Sequence, residues 1–424
     1  MRLRSACAGV AAGTSAPTRN HDLLPATRGF TRGAEEPVHP TRGPFGGGYP
    51  AAAVQYRPRT VATNPMIQIR AAAPDDHPAI IALAARALGW RDGERDEALF
   101  RWKHLDNPFG PSPMWLAVDD GEIVGFRAFL RWSFDDPGAG TREAVRAVDT
   151  ATHPSHRGRG VFTALTRHGL DAERERGTDF VFNTPNDQSR PGYLKLGWQV
   201  VGRVPVAVVV TSAGAAARMV RAKVPAAKWS EPVLVGDAAP DVLADDEPLG
   251  ALVASTGPAR GLRTTRSPAF LRWRYGLGPL HYRVLLRGAS IDDGLAIFRV
   301  RRWGAATETT LADVLVPGGD RRAARDLVLA VVRATRPDYL ISIQRRAVDG
   351  RSVRLPAQGP ILTWRAIRPA PVACWPCASC SSSRASGPEG PSGRPRCCSR
   401  TCASWASSRP SSAWCTGTRA TNAV

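Results

Sequence analysis

The sequence predicts a mixed α/β (α+β) fold, a twisted sheet with flanking helices, present as two tandem lobes. Two observations predict it. Between residues 67 and 210, segments of strand and helix periodicity follow one another in the order β, α, β, β, β, α, β, α, β. An Arg-Trp-basic motif, "FRWKHLDNPFG" at Phe100 to Gly110, then returns as "LRWRYGLGPLHY" at Leu271 to Tyr282, displaced by 171 residues. Both copies precede a strand hairpin, which marks an internal duplication of supersecondary order.

In the first lobe, "MIQIRAAAP" supplies a short strand. Asp75 and Asp76 start a helix whose apolar residues Ile80, Ile81, Ala84 and Leu88 fall at helical spacing. "MWLAV", "DDGE" and "IVGFRAFLRW" read as an antiparallel hairpin, because Asp-Gly between two apolar runs favours a tight turn. "EAVRAVDTATHP" is the next strand, and from Gly160 to Arg176 the chain turns helical, with Val161, Leu165 and Ala172 on one face. "TDFVFNTP" is a strand, "SRPGYLKLGW" a short helix with a Gly stop, and "VPVAVVV" the last strand. The second lobe repeats the hairpin as "YRVLLRGASIDDGLAIFRVRRW". It continues with the strand "TLADVLVP", the helix "RRAARDLVLAVVRA" and the strand "DYLISI". The expected domains are an N-terminal extension at 1–65, the first lobe at 66–212, a connector at 213–255, the second lobe at 256–367 and a tail at 368–424.

The extension is rich in Gly, Pro, Ala, Thr and Arg without sustained periodicity and is read as disordered, with Met66 as the expected true start. Its first residues make a poor signal peptide. The tail from Ala370 contains no Leu, Ile, Phe, Met or Tyr and cannot build a core. Seven of the eight cysteines lie there, and "CWPCASC" has spacings compatible with zinc or an iron–sulfur cluster, but the composition reads rather as out-of-frame GC-rich coding sequence. A body almost free of cysteine fits a reducing cytoplasm. No apolar run approaches the roughly 18 to 20 residues that span a bilayer, so no membrane partner is expected.

The formal charge of +20 invites a nucleic-acid reading until it is located. Each end contributes +5, and residues 66–369 only +10. The chain also holds 53 Arg against four Lys, a coding bias before it is a statement about phosphate. No specific nucleic-acid partner is expected.

The chemistry concentrates in "DTATHPSHRGRGVFTAL" at Asp149 to Leu165. Gly158 and Gly160 between a strand and a helix allow a tight turn and leave the helix's first N–H groups unobstructed, and Arg157 and Arg159 add charge. Together with the helix dipole these make a phosphate site; an ordinary Arg- and Gly-rich loop is the competing interpretation. The stretch is neither GxGxxG nor GxxxxGK[ST], which disfavours NAD and ATP. His153 and His156 lack a third ligand position, so no metal is expected.

"RGRGVF" preceded by "THPSH" resembles the acetyl-CoA loop of the GNAT N-acetyltransferase superfamily, R/Q-x-x-G-x-G/A after a strand. Arg157 and Gly160 match, whereas Phe162 stands where Gly or Ala is usual. "YLKLGW" at Tyr193 to Trp198 resembles the family's "Y-x-K-x-G-F", and the duplicated lobe resembles the enhanced-intracellular-survival type, without its sterol-carrier-like lobe. The resemblance implies direct acyl transfer to an amine, expected to be a small molecule such as an aminoglycoside, amino sugar or polyamine, with a protein N-terminus also open. The cosubstrate would be acetyl-CoA or a related acyl-CoA. Its pyrophosphate would lie on the amides of Arg157, Gly158, Arg159, Gly160, Val161 and Phe162, with Thr163 near by, and its pantetheine along Thr150, Ala151 and Thr152. Asn183 would hold the cosubstrate amide or the next loop. Tyr193 would protonate the leaving thiolate, or else pack on the sheet. Asp149, its carboxyl raised by partial burial, would take the amine's proton, with Glu143 and a water route as competitors and a structural role as the alternative. The second lobe, with "PGGDRRAA" in place of "HRGRGVFT", would be degenerate, and Trp102 and Trp273 would be packing anchors. A non-catalytic acyl-CoA-binding or scaffold protein is the other function the sequence admits.

Removing residues 1–65 and 370–424 is expected to abolish binding to duplex DNA at 150 mM salt in a gel-shift assay, because such binding would rest on the terminal arginines.

Overall fold

The computed structural model describes residues 67–368, apart from 91–92, 223, 225, 258–260, 344–351 and 355–358, and all of these belong to one unit by contact. The expectations for the N-terminal extension, for Met66 and for the Cys-rich tail concern residues outside this set.

Strand β1 (Gln68–Ala71) leads through a single 3-10 turn into α1 (His77–Leu88). Asp76 caps that turn, bonding the Ala73 amide and the Arg70 guanidinium at 2.7 Å. Helix α2 (Gly93–His104) carries the first Arg-Trp motif in its last turn. Strands β2 (Met114–Asp119) and β3 (Glu122–Asp136) form the expected hairpin, with Asp120 and Gly121 at φ 50° and 80°. Then come β4 (Gly140–Thr152), α3 (Val161–Arg176), β5 (Phe180–Asn183), α4 (Arg190–Lys195) and β6 (Gln199–Arg203). The second half runs β7 (Ala207–Val210), α5 (Ala213–Arg221), β8 (Asp237–Ala238), α6 (Ala239–Val242), α7 (Asp246–Ser255), β9 (Arg263–Thr264) and α8 (Pro268–Tyr275). It ends with β10 (Arg283–Leu286), β11 (Leu295–Trp303), β12 (Ala306–Leu315), α9 (Arg321–Thr335), β13 (Tyr339–Ser342), β14 (Val353–Arg354) and β15 (Ile361–Ala366). No helix of the described residues is long and apolar enough to cross a membrane.

These strands make two mixed sheets. The first has the order β1-β2-β3-β4-β5-β15-β6, with β9 added beside β3; the second has the order β14-β7-β13-β12-β11-β10-β8. The sequence is misleading about two strands. "VPVAVVV", read as the end of the first lobe, contributes β7 to the second sheet, between β13 and β14. In return β15 enters the first sheet between β5 and β6. Each lobe thus receives from the other half of the chain the strand that separates its fifth strand from its edge. Local periodicity marks a segment as a strand but is silent on which sheet accepts it. The segment read as a connector, 213–255, likewise supplies β8 to the edge of the second sheet.

Helix α3 is pressed onto the first sheet at both ends, and this fixes where its N-terminus points. A Cβ on Gly125 would lie 2.6 Å from Val161, and one on Gly169 would lie 2.8 Å from the Trp115 ring, so only glycine permits this approach. At the far end, buried Glu173 accepts two bonds from Arg131, at 2.5 and 3.0 Å, and one from Thr178.

The two copies of the Arg-Trp motif meet face to face. Trp102 of α2 and Trp273 of α8 stack with centroids 4.7 Å apart, and each indole N–H donates to the other's backbone carbonyl, at 2.5 and 2.7 Å. The expected packing anchors are therefore one reciprocal pair. Around it a single core draws Leu130, Trp132 and Phe182 from one lobe and Phe270, Tyr275 and Tyr282 from the other. Truncating a buried Trp to Ala costs ~3–5 kcal/mol, and here either truncation also strands the partner's indole N–H. Trp102→Ala and Trp273→Ala are each expected to destabilise by that amount in urea unfolding, and the double variant by clearly less than the sum.

Candidate functional site

The Gly-rich loop has the geometry of an anion cradle. Gly158 and Gly160 sit in the left-handed region at φ 79° and 81°, and α3 begins at Gly160 with no side chain capping it. Among the described residues, the amides of residues 158–163 find no acceptor. Six free donors at the positive end of a 16-residue helix suit an anionic group in general. The loop is held from behind: Ser155 bridges His153 and His156 at 2.7 and 2.8 Å, and His156 reaches Asp119 at 2.9 Å. The two histidines thus brace the loop.

The strand leading to the cradle opens on one side. β4 pairs with β5 only at Ala144, Val145 and Arg146, while its other edge stays bonded to β3 as far as Thr152. From Ala147 onward the edge of β4 that faces β5 is free, so Thr150, Ala151 and Thr152 offer backbone groups to an extended ligand. A bulge lies at the opening: Arg127 pairs with Thr150 and Phe129 with Ala147, leaving Val148 and Asp149 opposite Ala128 alone. The bulge turns Asp149 toward α2.

There Asp149 is clamped. Its carboxylate accepts from Lys103 Nζ at 2.9 Å and from His104 Nε2 at 3.0 Å, while His104 Nδ1 meets the Ser112 hydroxyl at 2.9 Å. That network assigns the Nε2–H tautomer to neutral His104, with Ser112 donating to Nδ1. Burial depresses His104, opposed by Asp149. Burial would raise Asp149, but Lys103 and His104 outweigh it and hold the carboxyl well below the ordinary range. This reverses the sequence expectation of a raised carboxyl, since an isolated buried acid was assumed and α2 brings it two donors. The second lobe repeats the arrangement. Tyr275, 171 residues after His104, donates to Asp313 at 3.2 Å beside a bulge in β12, and Arg266 pairs with the same carboxylate. The lobe without an R-x-x-G-x-G loop thus also ties a carboxylate beside its bulge to a neighbouring helix. Glu143, the competing base, sits on the closed part of β4, opposite Ser133 and exposed.

Tyr193 lies on α4, buried by Phe162 and Trp198, and no group among the described residues bonds its hydroxyl. Phe162 does not crowd the cradle, because its ring turns under α4 and fills the space left by Gly192, where a Cβ would lie 3.1 Å away. Behind both rings stands Arg127, which the sequence did not single out. It is fully buried, all three of its nitrogens lack a hydrogen-bond partner, and its guanidinium lies 5.0, 5.5 and 5.2 Å from the rings of Phe129, Phe162 and Tyr193. Asn183 is tied to the sheet, its side-chain oxygen accepting from Thr363 of β15 at 2.5 Å. The sequence signals for Lys103, Arg127 and Arg146 were charges inside otherwise apolar strand and helix runs.

In the second lobe the turn before α9 also has left-handed glycines, Gly318 and Gly319 at φ 61° and 65°. Asp320 then caps the helix, accepting from the Arg322 amide at 2.8 Å. A carboxylate sits where the first lobe leaves donors free, and it repels an anion.

Residues 68–201 match the family model described as "Acetyltransferase (GNAT) domain". Similar solved structures include a GCN5-related N-acetyltransferase from Anabaena variabilis (14% identity, 71% of this chain and 73% of that one, TM-score 0.52). Two others are a GCN5-related N-acetyltransferase from Kribbella flavida (15%, 71% and 71%, 0.47) and Eis1 from Mycobacterium abscessus (16%, 71% and 73%, 0.46). No curated protein matches the sequence. The fold and the loop define a GNAT-type acetyltransferase domain. That domain accounts for residues 68–201, and the strands of the second sheet lie outside the match.

Both His104 and Asp149 bind protons more weakly in the folded chain than in the unfolded one. Stability is therefore complete above the ordinary histidine value of about 6.5, and falls first as unfolded His104 protonates and again below about pH 4 as Asp149 does. The urea midpoint is expected to drop between pH 7 and 5, with a flatter dependence in His104→Gln.

Proposed function

We propose that the chain transfers an acetyl group from acetyl-CoA to a small-molecule amine within a ternary complex. The observation that carries this reading is the run of six acceptor-free amides at an uncapped helix N-terminus, adjoining the opened edge of β4. The amides of residues 158–163 would take the pyrophosphate, with Arg157 and Arg159 at its sides. The β4 edge from Thr150 to Thr152 would pair with the pantetheine amides. The thioester would then lie toward Tyr193 and Arg127.

The amine nitrogen attacks the acetyl carbonyl carbon, the new C–N bond forms, and the C–S bond breaks. The departing sulfur takes the proton of the Tyr193 hydroxyl, which no group among the described residues accepts. Arg127, with no counter-charge bonded to it, faces this point and favours negative charge as it develops there. Asp149 stays ionised between Lys103 and His104 and holds the bulge, and the amine's proton leaves through water. The second lobe supplies one wall and no second cosubstrate site, because Asp320 fills the corresponding cap.

The test is free-thiol release from acetyl-CoA by the full chain against a panel of amines. Turnover with at least one amine is expected, and Tyr193→Phe should lower kcat by about a hundredfold while calorimetric acetyl-CoA binding stays near wild type. Binding of acetyl-CoA without turnover on the whole panel would make the chain a non-catalytic acyl-CoA-binding protein. An undiminished kcat in Tyr193→Phe would remove Tyr193 from the acid role.

A further inference from the structure

A cavity of about 280 Å³ lies between the second sheet and the strap of residues 227–236. The strap continues along the edge of β11 where β10 ends: the amides of Ala227 and Glu231 donate to the carbonyls of Arg302 and Val300, each at 2.8 Å. Arg283 holds the other end, donating to the carbonyls of Val235, at 3.1 Å, and Gly236. The roof of the cavity is therefore pinned at both ends.

The first lobe shows why there is room. There Arg131 of β3 stands across from Val145 of β4 and bonds buried Glu173, four residues before the left-handed cap Gly177 that ends α3. In the second lobe the corresponding row places Val300 across from Thr309, since Val145 and Thr309 each pair with the second residue of the next strand, Val181 and Leu340. Val332 lies four residues before the left-handed cap Arg336 of α9. Two valines thus stand in place of a long buried ion pair, and the cavity opens beside Val300.

Its lining divides by chemistry. Val233, Val235 and Val300 make it apolar on one side, while Glu231 and Arg302 bring opposite charges to it. These two do not bond each other. Glu231 is half-buried and its carboxylate has no partner among the described residues; the guanidinium of Arg302 donates only to Thr307 Oγ1, at 3.3 Å. Asp338, the acid within electrostatic reach of Arg302, is bonded by Arg218 and by the Thr307 amide. Thr335 brings the last turn of α9, the negative end of its dipole, to the same cavity. Opposite charges that line one cavity without meeting are complementary to a small ligand that carries both signs, and the volume is near the lower bound of ligand pockets, ~300–1,000 Å³.

We propose that this cavity binds a free α-amino acid with an aliphatic side chain. Its carboxylate lies on Arg302, its ammonium on Glu231, and its side chain against the three valines. The site does not rest on the acetyl-transfer reading.

Calorimetry on the full chain compares leucine with three relatives, each lacking one of its groups: isoamylamine without the carboxylate, isocaproate without the amine, and glycine without the side chain. Leucine is expected to bind, and each relative to bind at least about tenfold more weakly. Glu231→Gln and Arg302→Gln should each weaken leucine by about tenfold or more, with the urea midpoint near that of the unmutated chain, and Arg302→Lys should recover part of the loss. The comparison of ligands does not depend on the variants folding. No binding of leucine at millimolar concentration overturns the proposal, as does isoamylamine or isocaproate binding as tightly as leucine. An affinity unchanged in both Gln variants also overturns it, because the amino acid then sits elsewhere on the chain, the acetyl-acceptor position included. No step of this readout uses acetyl-CoA, so its failure leaves the transferase reading as it stands.

Discussion

The stacked pair Trp102–Trp273 is the contact on which the remaining geometry depends. It joins the last turn of α2 to α8, and the residues that follow each Trp reach a carboxylate on their own sheet: Lys103 and His104 reach Asp149, and Tyr275 reaches Asp313. The bulge that opens β4 is thereby braced against a helix that is itself braced against the other lobe. Two indole N–H groups buried in one core are satisfied by the backbone carbonyls of each other's residues, one from each copy of the motif.

The lobes differ where function would require it. Both have a strand, a glycine turn and a long helix in the same order, but one helix starts at bare Gly160 and the other is capped by Asp320. A capped N-terminus is the ordinary solution for a stable helix, since Asp satisfies a donor and complements the dipole. The first lobe forgoes that stabilisation, and the six amides it leaves free are what a diphosphate would occupy.

Much of the fold was legible because its signals are local. The Asp-Gly turn at Asp120 and Gly121, the helical period of α3, and the Gly stop after "YLKLGW" each specify their own neighbourhood. The cradle was legible for the same reason, since Gly158 and Gly160 act on adjacent backbone. What escaped was set by residues distant in sequence. Asp149 looked like a free carboxylate because Lys103 and His104 stand more than 40 positions before it. Phe162 looked bulky because its compensating Gly192 lies on another helix. Arg127 and Arg146 passed as ordinary strand residues in an Arg-rich chain, and only burial distinguishes them.

The exchange of β7 and β15 has a consequence for how the molecule comes into being. Thr363 of β15 bonds Asn183 of β5 across 180 residues, so the sheet that carries the cradle is unfinished until nearly the whole described chain has been synthesised. Until then β5 and β6 present open edges, which invite pairing with other chains. A ribosome translating this sequence therefore presents the first sheet without its β15 strand for most of elongation. An N-terminal fragment that ends before Ile361 therefore lacks the strand that joins β5 to β6.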